Sequence, residues 1–337
     1  MASPTAATWD RSAPGAAELR YAQLGPGRCR GRRADVRTAR LHLTYESWSL
    51  GVLKMGRGLR GWVTFLVPGG GGPARIQGRR VEPGEVMVFF AGDEFHYRSA
   101  GEAQLVSVGV ERATLERHVR ALLDGGVDEL RLQGRLSGLR ADHDALRGLC
   151  LALAGPAAAR PGRVRGLEKL EAILVNALLA GLEGPRAPDA AGPGRALAMK
   201  AEAWLRQNLA EPPTVASLCE ALGASERTLH AAFREHLDDT PKSYLKTLRL
   251  NAARQDLLEG RAGRRVTDVA LDWGFVHLGW FSQDYRRHFG ETPSQTLQFA
   301  RARFGRAPYP TVPVRPRADR TFHRPYRGHR SEERSQS

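Results

Sequence analysis

A duplicated apolar pattern in the last third of the chain constrains its fold more than any other feature. The stretch VASLCEALG, which starts at Val215, aligns with VTDVALDWG, which starts at Val266, and the alignment continues after one inserted residue. The aligned pairs are Val215 with Val266, Leu218 with Val269, Cys219 with Ala270, Leu222 with Trp273, Gly223 with Gly274, Leu229 with Phe281, Phe233 with Tyr285, Leu237 with Phe289, Thr240 with Thr292 and Pro241 with Pro293. A repeat of this length predicts two copies of one supersecondary unit.

Each copy is typical of a helix-turn-helix: a short helix, a turn that contains glycine, and a second amphipathic helix. In the first copy Leu229, Phe233 and Leu237 are four residues apart, so they share the inward face of the second helix. The outward positions are Glu226, Arg227, His230 and Arg234 in the first copy and Leu278, Gly279, Ser282, Gln283 and Arg286 in the second, with Trp280 at the edge. In a helix-turn-helix this second helix enters the major groove of DNA.

The segment between the copies, TPKSYLKTLRLNAARQDLLEG, predicts a rigid connecting helix. Thr240 is placed as its N-cap and Pro241 as its first helical residue, and no breaker follows for about twenty residues. A helix of that length spans ~30 Å. This is close to the ~34 Å that separates major-groove openings on one face of B-DNA. The pattern therefore predicts that one chain reads two adjacent grooves.

Residues 197–300 resemble the DNA-binding module of the AraC/XylS family of bacterial regulators. The resemblance is carried by both helix-turn-helix copies, by the connecting YLKTLRLNAAR and by the closing GETP. The combination of LRLNAAR with WGFVHLGWF is most like the ethanolamine-utilisation regulator branch. The earlier segments LGPGRCRG and GWVTFLVP also resemble the sensor domain of that branch. The family resemblance implies a sequence-specific transcription regulator, an activator, that binds promoter half-sites in double-stranded DNA and works with RNA polymerase.

The same resemblance implies which residues meet DNA. Carried onto this sequence, the base-reading positions are Arg227, His230 and Ala231 in the first recognition helix and Leu278, Gly279, Trp280 and Gln283 in the second. Arg234 and Arg286, outward and farther along the same helices, complete the predicted DNA-binding set. Arginine offers two hydrogen bonds to guanine and glutamine two to adenine, each pairing contributing ~1–3 kcal/mol of discrimination. The two arginines farther along the helices are expected on phosphates. Leucine, glycine and alanine act only by fit or by contact with thymine methyl groups, and Trp280 is either a packing residue or a groove contact.

The first half of the chain predicts a small antiparallel β-barrel followed by helices, so the fold class is α+β. Short β-prone runs such as LHLTYESWSLGVL, GWVTFLVP and QLVSVGV alternate with Gly/Pro turns between residues 40 and 110. The predicted segments are a loose leader (1–38), a cupin-like sensor and dimerisation domain (39–183), a linker (184–194), the double helix-turn-helix (195–300) and a disordered Arg/Pro-rich tail (305–337). The resemblance implies that the barrel binds a small effector and that residues 150–182 mediate a homodimer. Ethanolamine with adenosylcobalamin is the effector pair to test first, and the effector-binding residues are unknown.

Three other classes of protein remain as alternatives. A barrel enzyme with an accessory DNA module would need clustered metal ligands, and only Glu94 and His96 in GDEFHY approach such spacing. A repair protein of this type would need a zinc-bearing cysteine cluster, whereas Cys29, Cys150 and Cys219 are scattered. A nucleoid protein would bind DNA without sequence preference. The sequence thus favours a regulator with no enzymatic activity, no cofactor and no metal, acting either in ethanolamine catabolism or in an unrelated catabolic or stress pathway.

The net charge of +15 does not by itself mark the DNA-binding segment. Residues 195–300 hold 14 basic against 13 acidic residues, whereas residues 301–337 hold ten against three. The motif, not the bulk charge, therefore carries the DNA-binding prediction. No apolar run of eighteen residues and no signal-peptide pattern is found, so we expect a cytoplasmic protein that does not associate with membranes.

Overall fold

The computed structural model describes residues 19–122, 127, 141–154, 174–175, 178, 192–209, 213–261 and 263–304. The strands are β1 (Arg20–Gln23), β2 (Gly31–Arg37), β3 (Leu41–Trp48), β4 (Val52–Arg57), β5 (Trp62–Pro68), β6 (Ala74–Ile76), β7 (Arg79–Val81), β8 (Met87–Phe89), β9 (Glu94–Ser99) and β10 (Ala103–Glu111). The helices are α1 (Arg112–Leu122), α2 (His143–Ala154), α3 (Pro193–Gln207), α4 (Val215–Leu222), α5 (Glu226–Leu237), α6 (Pro241–Glu259), α7 (Val266–Asp272), α8 (Leu278–Phe289) and α9 (Pro293–Phe304). Among these helices, none combines the length and the apolar character that crossing a membrane requires.

The strands form two antiparallel sheets, which we call the β domain. The first sheet has the order β1-β4-β9-β6-β7 and the second the order β2-β3-β10-β5-β8. The predicted α+β class and antiparallel pairing are confirmed, but the predicted barrel is not closed: within the described residues, no strand of one sheet pairs with a strand of the other. Each sheet therefore keeps two edges, and side chains rather than backbone hydrogen bonds join the two sheets.

The predicted loose leader is wrong for its second half, because β1 and β2 both lie within residues 1–38. β1 pairs with β4 and β2 pairs with β3. Both are edge strands, and an edge strand tolerates charged residues because one side of it stays solvated. β2 has the sequence GRRADVR, whose arginines leave too little alternation of apolar and polar residues for a strand to be predicted. Residues 1–18 lie outside the described residues.

Side chains that alternate along β10 place the second sheet between two apolar layers. Leu105 packs between the sheets, in one core with Phe95 and Tyr97 of β9. Val106 and Val108 point to the opposite face and pack with residues of α1 and α2. Both faces of the second sheet are therefore buried, which explains why its central strands read as nearly continuous apolar runs.

The other face of the first sheet packs against the C-terminal helices. Ala22 of β1 and Leu53 of β4 share a core with Ala198 and Ala201 of α3 and with Phe233 of α5. The layers therefore follow the order helices, second sheet, first sheet, C-terminal helices. A core shared in this way couples the β domain to the first helix-turn-helix unit.

Most of the predicted dimerisation element, residues 150–182, lies outside the described residues. Leu174 and Leu178, two members of its leucine stripe, are buried with Val175 in the core beneath the second sheet. These positions pack within the chain, and the dimer role of the element stays a prediction.

The C-terminal helices begin inside the predicted linker. Gly192 is the N-cap of α3 and Pro193 its first residue, so the last two residues of the predicted 184–194 linker are helical. Proline is favoured there because the first helical N–H has no partner to lose. Residues 184–191 and the predicted tail, 305–337, lie outside the described residues.

The connecting helix forms as predicted and is embedded at both ends. Tyr244 and Leu248 of α6 belong to the core of the first unit, whereas Leu250 and Leu257 belong to the core of the second. Its 19 residues give a length of about 28 Å. Because each end is fixed in one core, α6 sets the spacing between the two units.

We expect Thr240→Ala to lower the free energy of unfolding by about 1 kcal/mol. The Thr240 hydroxyl accepts a hydrogen bond from the Ser243 backbone N–H at 3.3 Å, which satisfies one donor at the start of α6. Urea unfolding followed by circular dichroism measures the change. Thr240→Ser keeps the acceptor and is expected to retain the wild-type midpoint; an equal loss in both variants would contradict the capping role.

Candidate nucleic-acid interface

The first helix-turn-helix unit is built by two capped helices and a glycine turn. The Ser225 hydroxyl accepts from the Thr228 N–H at 3.1 Å and so starts α5. Gly223 ends α4 with a φ of 61°, a left-handed conformation in which a side chain would be strained. The predicted turn therefore lies where the sequence repeat places its glycine.

The inner face of α5 is buried as predicted. Leu229, Phe233 and Leu237 all belong to the core of the first unit. The Phe233 ring meets the Tyr244 ring of α6 edge-on, with centroids 5.8 Å apart. This packing orients α5 and turns its opposite face to solvent.

The predicted DNA-binding residues of α5 lie on that opposite face. Arg227, Ala231 and Arg234 are exposed, and His230 is half-buried with its ring nitrogen 3.7 Å from the Glu226 carboxylate. Within the described residues, neither arginine forms an ion pair. Both guanidinium groups are therefore available to an anionic or hydrogen-bonding partner.

The second unit repeats this architecture. Gly274, in the turn after α7, has a φ of 75°. Phe281, Tyr285 and Phe289 of α8 are buried as predicted. The Tyr285 hydroxyl donates to the Thr296 hydroxyl at 2.9 Å, and burial raises the pKa of Tyr285 to about 12. The tyrosine is therefore a neutral donor that ties α8 to α9.

Two ion pairs fix α8 and the turn that follows it against the connecting helix. Lys246 of the connecting helix lies 3.0 Å from Asp284 of α8. Arg254, also on the connecting helix, lies 2.9 Å from Glu291 and stacks over the Phe289 ring at 4.5 Å. The connecting helix thereby sets the orientation of the second recognition helix as well as its distance from the first.

The five predicted DNA-binding residues of the second unit, Leu278, Gly279, Trp280, Gln283 and Arg286, are all exposed. Trp280 is outside the core and stands beside the His277 ring, with centroids 5.0 Å apart. Of the two alternatives for this residue, burial in the core is therefore excluded. Whether any of these side chains meets DNA stays a prediction.

Sequence reasoning missed Val276 and Arg287, which are exposed next to the predicted set. Val276 precedes α8 and was overlooked because it falls outside the repeat-aligned pairs. Arg287 follows Arg286 in the last turn of α8, so the pair RR was a usable signal.

The β domain holds both units through contacts that no local pattern predicts. Gln23 donates to the backbone carbonyl of His288 at 2.6 Å and exchanges two hydrogen bonds with the Asn251 side chain, 228 residues away. Gly27 also donates to His288 O at 3.0 Å. These bonds attach the end of β1 to the connecting helix and to the last turn of α8.

A second polar contact joins the β domain to the first unit. His96 on β9 places its Nδ1 3.0 Å from the Glu202 carboxylate of α3, and the Tyr244 hydroxyl donates to the other oxygen of that carboxylate. Arg206 donates to His96 Nε2 at 3.0 Å. Because Nε2 accepts, the His96 proton lies on Nδ1 and points to Glu202.

The two residues considered for a metal in the β domain are thus used differently. Glu94 pairs with Arg57 at 2.6 Å, and His96 takes part in the contact with α3. Over the described residues, no group of three or more His, Cys, Asp or Glu side chains lies together as a metal site would require.

The comparisons with known proteins concentrate on this interface. Residues 218–298 match the family model described as a helix-turn-helix domain. The chain is 38% identical over 96 residues to the XylDLEGF operon transcriptional activator of Pseudomonas putida, which covers 28% of this chain and 30% of that protein. It is 38% identical over 96 residues to the probable thc operon regulatory protein of Rhodococcus erythropolis, covering 28% and 29%. A structure described as a probable AraC family transcriptional regulator from Rhodopseudomonas palustris is 36% identical, with 31% of this chain and 97% of that chain covered and a TM-score of 0.30.

This chain spans about a third of the length of the curated relatives that it matches. Residues 218–298 thus match a helix-turn-helix domain and are similar to part of each of these regulatory proteins.

Proposed function

We propose that this protein is a sequence-specific DNA-binding transcription regulator, an activator, whose α5 and α8 enter successive major grooves. The observation that carries the proposal is the duplicated outward face: both second helices bury three core residues, and all the predicted DNA-binding residues are exposed except His230, which is half-buried. The connecting helix, about 28 Å long, has one end in the core of each unit and so holds the two units apart. Arg234 and Arg286 occupy equivalent outward positions suited to phosphates.

The β domain acts in this proposal as the sensor that sets the arrangement of the two units. It contacts the first unit through Glu202 and the second through Gln23 and His288. A small effector that favours one arrangement shifts the population toward the state that engages promoter half-sites. A homodimer and RNA polymerase are the further partners proposed, and both follow from the AraC/XylS resemblance.

The pathway is proposed from the narrower resemblance. Ethanolamine with adenosylcobalamin is the first effector pair to test, because LRLNAAR and WGFVHLGWF are most like the ethanolamine-utilisation branch. A regulator of an unrelated catabolic or stress pathway is the alternative. A footprint that changes with ethanolamine and adenosylcobalamin supports the first, and one that responds only to another metabolite supports the second.

Selection of bound sites from random duplex tests the regulator proposal. The full chain is used, because α3 and α5 share a core with the β domain and a truncated module would expose it. We expect a site with two half-sites about one helical turn apart. At physiological salt this site should outcompete unrelated duplex by at least about 1,000-fold. A nucleoid-type protein would instead show binding that ignores sequence and falls steeply with salt, and that result would overturn the proposal.

We expect Arg227→Ala to relax one base position of the first half-site. We expect the exposed guanidinium to donate two hydrogen bonds to guanine, so its loss should reduce discrimination there by about 5- to 150-fold, corresponding to ~1–3 kcal/mol. Repeating the selection with the variant measures the change. Arg234→Ala is the matched control, since loss of a phosphate contact weakens all sequences equally and reduces the salt dependence. Unchanged discrimination in Arg227→Ala would remove this residue from the reading set.

A further inference from the structure

The two recognition helices differ in chemistry at equivalent positions. The alignment of Leu229 with Phe281 also aligns Glu226-Arg227-Thr228 with Leu278-Gly279-Trp280. The first helix thus begins with charged and hydroxyl side chains, and the second with apolar ones around a glycine. Two units built on one plan therefore present two different surfaces to a duplex.

The apolar residues of the second unit form an exposed cluster at the start of α8. Across the described residues six large hydrophobic side chains are exposed, and three of them fall within residues 276–280. Val276 is 72%, Trp280 68% and Leu278 38% exposed. A concentration of apolar surface of this kind marks an interaction site more often than chance exposure.

The glycine in this cluster opens a path for close approach. Gly279 occupies the position at which the first unit carries Arg227, and a Cβ built on it would meet no atom within 4 Å. A groove wall or floor can therefore come closer to α8 than to α5 at this point. The neighbouring Leu278 and Trp280 side chains would then meet whatever apolar group the groove presents.

The charged residues around the cluster indicate that its occupant is DNA. Arg286 and Arg287, both exposed, lie farther along α8 and suit the phosphate backbone beside the groove. In the major groove the one apolar group on a base edge is the thymine 5-methyl group. Gln283, the exposed amide on this helix, pairs best with adenine. Apolar contact and amide together select A·T pairs.

We propose that the second recognition helix reads an A·T-rich half-site through contact of Val276, Leu278 and Trp280 with thymine methyl groups. The first helix reads a half-site that contains guanine through Arg227, so the operator is asymmetric and orients the bound protein. This inference rests on the proposed function. It adds which unit reads which base composition, and by what contact.

Replacing thymine by uracil tests the proposal, because it removes the methyl group and leaves base pairing intact. Sites are first selected with the full chain, and duplexes are then made with deoxyuridine in one half-site at a time. We expect affinity to fall about four-fold for each contacted methyl in the second half-site, the equivalent of about 0.8 kcal/mol for a buried group of this size. The same replacement in the first half-site should lower affinity less, because Ala231 is the one small apolar side chain among the predicted DNA-binding residues of α5.

Trp280→Ala links the effect to the protein side. The variant is expected to bind the thymine duplex more weakly than the wild type and to lose its preference for thymine over uracil. Because Trp280 lies outside the core, the variant should keep the wild-type thermal midpoint. Arg227→Ala is the matched control, which should weaken binding through the first half-site and retain the uracil effect in the second.

The outcomes separate this inference from the proposed function. Specific binding with no uracil effect, or a selected second half-site rich in G·C pairs, would overturn the inference and leave the regulator standing. An apolar cluster that served a protein partner would give the same insensitivity to uracil and an unchanged DNA affinity in Trp280→Ala. Failure to select any preferred site would overturn both proposals.

Discussion

Lys54→Met is expected to lower the free energy of unfolding by about 3 kcal/mol. Lys54 on β4 and Glu46 on β3 form an ion pair of 2.5 Å between the two sheets, where both side chains are almost fully excluded from water. Removing the cation leaves the Glu46 carboxylate buried. Arg33, whose nitrogen lies 3.3 Å from the same carboxylate, offsets part of the loss, which keeps the expected value at the low end of the range for broken buried pairs.

The neighbours of the pair explain why the charge must be balanced. The Tyr21 hydroxyl donates to Glu46 at 2.6 Å, and burial together with the nearby carboxylate raises the pKa of Tyr21. The tyrosine therefore stays protonated and serves only as a donor. Lys54 also donates to the Ser107 hydroxyl at 3.2 Å, so the methionine variant leaves that acceptor without its partner as well.

Two further variants decide whether the uncompensated charge is the cause. Glu46→Gln combined with Lys54→Met removes both charges and keeps an acceptor for Tyr21, so most of the lost stability should return. Arg57→Met breaks an ion pair of 2.6 Å with Glu94 on the surface of the same domain, and its effect should stay below about 1 kcal/mol. Urea midpoints by fluorescence and circular dichroism give the comparison. A double variant as unstable as Lys54→Met would show that packing, not charge, is responsible.

The local patterns in the sequence predicted the helix-turn-helix units well, because each depends on short-range rules. The i, i+4 spacing of Leu229, Phe233 and Leu237 identifies a buried face without knowledge of what covers it. Thr240 identifies a helix start because its hydroxyl needs only the N–H three residues ahead. These rules depend only on residues within about a dozen positions of each other, so the predicted faces and caps agree with the structure.

The β domain was predicted less well because its order depends on partners distant in sequence. β2 is a strand because β3 lies beside it, although its own residues are mostly charged or exposed. Whether the two sheets join into a closed barrel likewise depends on which edge strands pair with each other. Alternation along one strand predicts an antiparallel sheet but leaves open whether the sheet closes on itself.

The contacts between the β domain and the helices could not be predicted either, because the residues that form them are also distant in sequence. His96 and Glu202 are 106 residues apart, and the residues next to each of them in the sequence do not indicate that the two pair. The sequence suggested His96 as a possible metal ligand only because of its spacing from Glu94. The structure replaces that role with a hydrogen bond to the buried carboxylate.

Glu202→Ala is expected to lower the free energy of unfolding by about 3–5 kcal/mol, because two hydrogen bonds to a buried carboxylate are lost at the junction of the β domain and the first unit. The carboxylate is 1% exposed and accepts hydrogen bonds from His96 on β9 and from Tyr244 on the connecting helix. Without the carboxylate, the buried Tyr244 hydroxyl loses the acceptor of its hydrogen bond. Two separate unfolding transitions in this variant would show that the β domain and the helices no longer unfold together.

The pH dependence of the same contact gives an independent measurement. Burial alone would raise the pKa of Glu202, but the hydrogen bonds from His96 and Tyr244 and the charge of Arg206 outweigh it, so the pKa lies below its ordinary value. The stabilisation is therefore complete above the ordinary glutamate pKa of about 4.3 and is lost as the pH falls through the lower folded-state value. Glu202→Gln should abolish this acid-dependent component. Glu220→Ala, on the exposed surface of α4, should leave both the stability and its pH profile unchanged, and a loss in that control equal to the loss in Glu202→Ala would contradict a specific role for the junction.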